Sequence, residues 1–542
     1  MSLLVYLWLE FGMDDGEKVE IPMTDVERRL FELLLAVVGH FALGTTLRVA
    51  GGWVRDKLMG RDSHDIDVAL DNLSGQSFAE KMNEYLASVG LETHHIGVIQ
   101  SNPDQSKHLE TATVKVLGFW VDFVNLRSET YTEHSRIPTK IEIGTPEEDA
   151  NRRDLTINAL FYNINTGLVE DFTGHGIEHL RAKVICTPLP PLQTFMDDPL
   201  RVLRAFRFGC RLPGFSVDAE LLSAASSPEV IDALAKKIAR ERIGKELDGM
   251  LRATRPELAI GWISSLKLFP VVFALPPQLN QPIDCATLCV EASTLVRRLM
   301  CISRSMSLEW DHEERRVAIL AAALLPFAEL TYNTPKRKVD TVTNYIVLES
   351  LKHPKVDADQ VGILHFGVKQ FERLFRPAQV PAPGEPGIQN VPLQDQKVTL
   401  GRVMRRVGHL WHTCLALATL DHLPAFTSEL TVDQFDPMLP EDSSIRSTYS
   451  NIKAEILALG MERAHEMKPY FSGDDLQQLL QLSPGPVVGI IIDAEIDWML
   501  EHYEDVLAKP EATKEKCKEH LLSPIIRTLI EQANANKKKG KK

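Results

Sequence analysis

The stretch Gly51–Leu70, GGWVRDKLMGRDSHDIDVAL, decides how the rest of the chain is read. A glycine turn and Arg55 come first, then Asp65 and Asp67, two residues apart at the head of an apolar run. In a strand, residues i and i+2 point to one face. Asp65 and Asp67 therefore project together, and two carboxylates so placed repel unless a cation lies between them. For an isolated Asp-x-Asp a solvated edge strand or a pair of turn carboxylates is the better explanation, but the surroundings reverse that preference. Gly51 and Gly52 allow backbone amides to approach a phosphate, and Arg55 follows within reach of an anion. A third acid, Asp122, lies in the alternating run WVDFVNL, where a neighbouring strand can present it to the same point. Three carboxylates beside a glycine turn suit phosphoryl or nucleotidyl transfer. Mg²⁺ takes carboxylate oxygens and keeps phosphate and water ligands. Two such ions about 3.5–4 Å apart stabilise both the attacking and the leaving oxygen.

Outward from this stretch, residues 25–190 mix helix and strand patterns. TDVERRLFELLLAVVGHF is an amphipathic helix capped by Thr24 or Asp25. LRVAGG is a strand running into the turn, and SFAEKMNEYLASVG is a helix ending at Gly90. TATVKVLGFWVDFVNLR alternates about Gly118 as a β-hairpin. The loose alternation predicts a mixed sheet rather than a doubly wound parallel one. After about residue 190 the strand signals fade and DDPLRVLRAFRFGCRL and PEVIDALAKKIARERIGKELDGMLRA read as helices. The fold class is therefore α+β: a mixed-sheet head followed by helical neck, body and tail. The expected divisions are an extension over 1–24, a head over 25–190, a neck over 191–260, a body over 261–390 and a tail over 391–542. Residues 376–394, rich in Pro and Gly, read as a linker.

The bulk numbers agree with an intracellular globular protein. The chain has 542 residues, 44% hydrophobic and 25% charged, which is too long for one core. Seven scattered cysteines without a Cys-x-x-Cys read as reduced thiols, with Cys285 and Cys289 as core. Residues 3–12 are apolar, but too short for a membrane span and without the basic start of a secretory signal. A net charge of -14 argues mildly against a nucleic-acid partner unless basic residues gather on one surface. Lys236–Lys237, Lys336–Lys338 and Arg405–Arg406 are candidates for such a phosphate track, and NANKKKGKK reads as a basic, solvated end.

The order of motifs carries a resemblance. GG-x-V-R-D followed by D-I-D resembles the head motif of the DNA polymerase beta nucleotidyltransferase superfamily. More closely, it resembles the class II CCA-adding tRNA nucleotidyltransferases. RRDLTINAL (152–160), DFTGHGIEHLRAKVI (171–185), DDPLRVLRAFRF (197–208) and ARERIGKEL (239–247) match later motifs of that family in order, with wording closest to fungal members. In the second of these, His179 stands where the family has Asp. RSETY (127–131) resembles the family's flexible-loop element, Arg127, Glu129 and Tyr131. The motif-bearing part covers residues 45–250.

The resemblance implies addition of C, C and A to tRNA 3′ ends from CTP and ATP, with Mg²⁺ ions at Asp65 and Asp67. Asp122 would activate the 3′-hydroxyl. Gly51, Gly52, Arg55 and Arg153 would orient the triphosphate, while Asp154 and Asn158 would meet the ribose. Asp198 and Arg201 would read the base, because a carboxylate only accepts hydrogen bonds and a guanidinium only donates them. Adenine and cytosine offer an amino donor beside a ring-nitrogen acceptor; guanine and uracil offer the reverse. Arg204 and Arg207 would help hold base and triphosphate, and Arg240, Arg242 and Glu246 would steady the pocket helix through ion pairs. The turn at Pro484–Pro486 and the helix after it resemble the tail segment that contacts the tRNA elbow. The expectation is a monomer acting on tRNA, with no membrane partner, and with cytoplasm, nucleus and mitochondrion all open as compartments. The same motifs also fit a poly(A) polymerase, a partial CC- or A-adding enzyme, or an inactive tRNA-binding relative.

Overall fold

The computed structural model describes residues 21–99, 111–132, 135–280, 283–375, 393–420 and 444–539. The apolar start at 3–12 and most of the linker at 376–394 lie outside these residues. The chain divides into two compact units. The first contains the described residues up to Pro277 together with Leu348–His353, and the second contains the remainder.

The first unit is built on a mixed seven-stranded sheet in the order β3-β4-β5-β2-β1-β8-β9. Its strands are β1 (Leu47–Ala50), β2 (Asp65–Leu70), β3 (Ile96–Ile99), β4 (Thr111–Val116), β5 (Phe119–Asn125), β8 (Phe161–Asn163) and β9 (Leu168–Glu170). β4 and β5 form the hairpin predicted about Gly118, and both turn residues, Leu117 and Gly118, have positive φ as a tight two-residue turn requires. Only the β2–β5 pairing is parallel; the other pairings in this sheet are antiparallel.

Period-two alternation separates two faces. Ile66, Val68, Val121, Phe123, Ala112 and Val114 are fully buried. Helix α1 (Asp25–His40) packs on α3 (Gly75–Ser88), which lies against β4 and β5. At Gly75 a Cβ would fall 2.2 Å from the Phe123 carbonyl oxygen, so only glycine permits this approach. Thr24 caps α1 in a capping box with Glu27. The opposite face of β4, β5 and β2 carries Thr113, Asp122 and Asp67, all half-buried, and the exposed Lys115, Trp120 and Asp65.

The RSETY segment is a strand rather than an irregular loop. β6 (Arg127–Thr132) and β7 (Ser135–Ile143) pair antiparallel as a ribbon outside the main sheet. Helices follow: α2 (Gly52–Leu58) in the glycine turn, then α4 (Pro146–Asn151), α5 (Gly176–Ala182), α6 (Pro191–Asp197), α7 (Leu200–Arg211), α8 (Ala219–Ala225), α9 (Pro228–Lys237) and α10 (Arg240–Leu251). The single helix expected over 228–253 is broken at Ile238 and Ala239, both extended, so α10 starts afresh at Arg240.

The second unit is helical apart from a small ribbon, Thr331–Asn333 with Val339–Thr341. A buried bidentate pair, Arg316 to Asp357 at 2.8 Å for both bonds, ties two of its helices. The basic C-terminal run is helical through Lys539 rather than irregular. The proposed phosphate track is partly used internally. Arg406 lies over the Phe366 ring at 3.8 Å, and Arg405 donates to the Met467 carbonyl. None of the seven cysteines is in a disulfide. Among the described residues no helix is long and apolar enough to cross a membrane.

Candidate active site

The register of β2 and β5 brings the three acids together. Asp67 is paired with Asp122 and Asp65 with Trp120, so the three acids share the open face of the sheet. Burial raises Asp67 to about 6, helped by Asp65 and Asp122 and opposed by Arg153. Asp122 Oδ1 is buried with no hydrogen-bond partner. An orphaned carboxylate oxygen beside a crowded carboxylate is what a divalent cation would relieve. Among the described residues no three His, Cys, Asp or Glu side chains are already gathered as a metal cage. An ion fitting here takes one or two carboxylates and completes its shell with phosphate and water, which is the habit of Mg²⁺.

Beside these acids lies a cleft of about 540 Å³. Its lining includes Gly51, Gly52, Arg55, Asp67, Arg127, Glu129, Tyr131, Arg153, Asp154, Asn158, Asp198, Arg201, Arg204 and Arg242. Asp65, Asp122, Arg207, Arg240 and Glu246 are outside that lining. Gly51, at φ +71, brings the backbone to the Arg153 guanidinium; a Cβ there would meet Nη1 at 3.0 Å. The Gly51 amide donates to the Leu160 carbonyl, which fixes the turn against β8.

One polar chain crosses the cleft. Arg55 donates to Asn158 Oδ1, Asn158 donates to Asp154 Oδ1 at 3.1 Å, and Arg204 Nε donates to Asp154 Oδ2 at 2.7 Å. Burial works against the Asp154 charge, but Arg204 and Asn158 hold its pKa below the ordinary carboxylate value. The residues expected at the ribose are thus hydrogen-bonded to each other.

Asp198 and Arg201 come together at the start of α7. Asp198 Oδ1 accepts from the Leu200 amide at 3.1 Å, and Arg242 Nη2 reaches Oδ2 at 3.4 Å. Arg201 donates to the carbonyls of Thr194 at 3.3 Å and Arg152 at 2.6 Å. These bonds fix the orientation of both groups. A carboxylate has about four acceptor sites and a guanidinium five donors, so each keeps capacity for a base.

The ribbon meets the cleft through alternate residues of β6. Tyr131 donates its hydroxyl to Glu129 Oε2 at 2.5 Å, and Glu129 Oε1 lies 3.2 Å from both Arg127 and Arg152. Burial and the Glu129 charge push the Tyr131 hydroxyl above its ordinary pKa, so it stays a donor.

α10 acts through three different contacts. Arg240 donates to the carbonyls of Val271, Val272 and Ser350, each at 2.6 Å, and so clamps the backbone there. Arg242 reaches Asp198, and Glu246 faces Arg207 at 2.9 Å and Arg204 at 4.0 Å. The Arg207–Glu246 approach lacks hydrogen-bond geometry. Burial raises the Glu246 carboxyl and lowers the Arg207 guanidinium, with each partner only partly opposing.

Asp149 and Arg152 escaped sequence reasoning. Asp149 is 1% exposed. Its Oδ1 accepts from the Arg127 amide at 3.2 Å and from Arg152 Nε at 2.9 Å, and its Oδ2 accepts from Arg153 Nη2 at 2.7 Å. The acid three and four residues before a double arginine was the available signal.

Known proteins are similar to this chain. A family model described as the Poly A polymerase head domain matches residues 47–186. The CCA tRNA nucleotidyltransferase, mitochondrial, of Saccharomyces cerevisiae is 36% identical over 494 residues, covering 84% of this chain and 85% of the relative. The protein of the same name from Candida glabrata is 35% identical over 518 residues, covering 89% and 93%. The Thermotoga maritima CCA-adding enzyme complexed with tRNA shares the fold, with a TM-score of 0.54 at 16% identity over 90% of this chain and 96% of that one. With its paired aspartates, its cleft and full-length relatives at this identity, the chain belongs to the CCA-adding tRNA nucleotidyltransferase family.

Proposed function

We propose that the protein adds C, C and A in turn to the 3′ ends of tRNAs, using CTP and ATP and releasing pyrophosphate. The register that sets Asp67 beside Asp122, next to a cleft walled by Asp198 and Arg201, supports this most strongly. Asp65 and Asp67 would hold Mg²⁺, which supplies positive charge to the reacting phosphate. Asp122 accepts the proton of the attacking 3′-hydroxyl. Arg55 and Arg153 orient the triphosphate beside the Gly51–Gly52 turn, and Asp154 and Asn158 face the sugar. Asp198 accepts from the amino group of C or A while Arg201 donates to the ring nitrogen. Leaving such buried groups unpaired costs about 1–3 kcal/mol each, enough to disfavour G and U. The remaining contribution of the protein is positioning in a preorganised polar site.

The names of both yeast relatives support a mitochondrial pool, beside the cytosolic and nuclear ones that tRNA maturation needs.

The test is incorporation of CTP and ATP into tRNA lacking its CCA end. Asp67→Ala should lose activity by several orders of magnitude while tRNA affinity stays within about twofold, because metal charge is the main electrostatic contribution. Comparable incorporation by Asp67→Ala places the reaction elsewhere.

A further inference from the structure

The open face of the sheet carries, in the row of Asp65, two further side chains that the reaction described so far does not use. β4, β5 and β2 are in register, so Thr113, Asp122 and Asp67 form one row across them. One step outward along the same face, Lys115, Trp120 and Asp65 form the next. Two residues along a strand span about 7 Å. Trp120 is a large apolar side chain left 56% exposed, although its neighbours on the other face, Val121 and Phe119, are buried. The Lys115 ammonium lies 5.7 Å from the indole centroid. An open indole with an attached cation, one row from the acids, matches the chemistry of a nucleotide: a base to stack and a phosphate to pair.

We infer that Trp120 and Lys115 form the seat of the tRNA 3′-terminal nucleoside, with its base stacked on the indole and its phosphate facing the lysine. This rests on the proposed reaction. The attacking 3′-hydroxyl must reach Asp122 and Asp67, so the base of the same nucleoside falls within about one row of them. Stacking needs only a π-face and accepts any base. The seat therefore serves every discriminator base, and then C after each addition, without altering the choice of incoming nucleotide at Asp198 and Arg201. Trp120 is thus assigned to the growing end and not to CTP or ATP.

The test uses the full chain, saturating CTP, and two tRNA substrates: one ending at the discriminator base, and one with an abasic ribose at that position. Trp120 is at the surface, so Trp120→Ala should fold, and thermal unfolding checks this. For the normal substrate, Trp120→Ala should lower kcat/KM for tRNA by about 5- to 150-fold. KM for CTP should be unchanged, and Trp120→Phe should restore most of the loss. Lys115→Ala should lower kcat/KM for tRNA and flatten its salt dependence. The wild type should lose a similar factor on the abasic substrate, where Trp120→Ala should lose nothing further. If the wild type adds C normally but Trp120→Ala matches it on both substrates, the seat is elsewhere and the functional reading stands. A wild type that adds nothing to either substrate overturns the functional reading and this inference together.

Discussion

Burial and two neighbouring carboxylates raise Asp67 from 3.8 to about 6. Below the ordinary value, folded and unfolded chains are both protonated there, so the site has no effect on stability. Between 3.8 and about 6 the unfolded chain has released the proton that the folded chain keeps, so stability falls as pH rises through this window, and the full penalty persists above about 6. Asp67→Asn should therefore raise the stability of the metal-free protein by roughly 1–3 kcal/mol at pH 8 and change it little near pH 4. Thermal unfolding in chelator at the two pH values measures this, and Mg²⁺ should stabilise the wild type but not the variant. A variant less stable than the wild type at pH 8 without metal would contradict the account. At this scale the sequence revealed the three acids, because strand alternation fixes which side chains share a face. It did not reveal that Asp154, Asn158, Arg55 and Arg204 are joined in one hydrogen-bonded chain. Nor did it show that Asp149 holds both arginines of the double-arginine motif. Such partners depend on elements meeting in space, not on spacing along the chain.

At the scale of elements, the main strands and α1 and α3 were legible from periodicity, caps and the two-residue turn. The ribbon was not, because RSETY lacks apolar alternation; its stability comes from pairing with β7 and from polar contacts. Glu129 anchors it, facing Arg127 and Arg152 with one oxygen and accepting from Tyr131 with the other. Tyr131 in turn lies 6.0 Å beneath the Arg201 guanidinium, which links the ribbon to the pair proposed to read the base. Glu129→Ala should keep addition of the two C residues and weaken the final A by roughly tenfold or more, the scale of lost hydrogen bonds to charged groups. Time courses resolved to single nucleotides would show it, and equal loss of both steps would contradict it. The break between α9 and α10 was equally hidden. Nothing in the apolar pattern interrupts there, yet Arg240 must stand at a helix start to reach the carbonyls of Val271, Val272 and Ser350.

At the scale of the whole molecule, a net charge of -14 and an RNA substrate are reconciled locally. The cleft lining carries eight arginines, Arg55, Arg127, Arg152, Arg153, Arg201, Arg204, Arg211 and Arg242. Against them stand four acids, Asp67, Glu129, Asp154 and Asp198. Positive charge is thus concentrated where the triphosphate and the RNA end must meet, while acidic surface elsewhere discourages indiscriminate binding. The central claim is that this one cleft, without a nucleic-acid template, selects C and A through the acceptors of Asp198 and the donors of Arg201. The most direct measurement is to sequence tRNA 3′ ends after incubation with all four nucleoside triphosphates, for the wild type and for Asp198→Asn, whose amide can turn an N–H toward a base carbonyl. Wild-type ends should read C, C, A and extend no further. Asp198→Asn should be slower and write ends that contain U or G, a shift in preference of roughly 5- to 150-fold. Wild-type ends that grow as runs of A, or a folded Asp198→Asn protein that still writes only C, C, A, would contradict it.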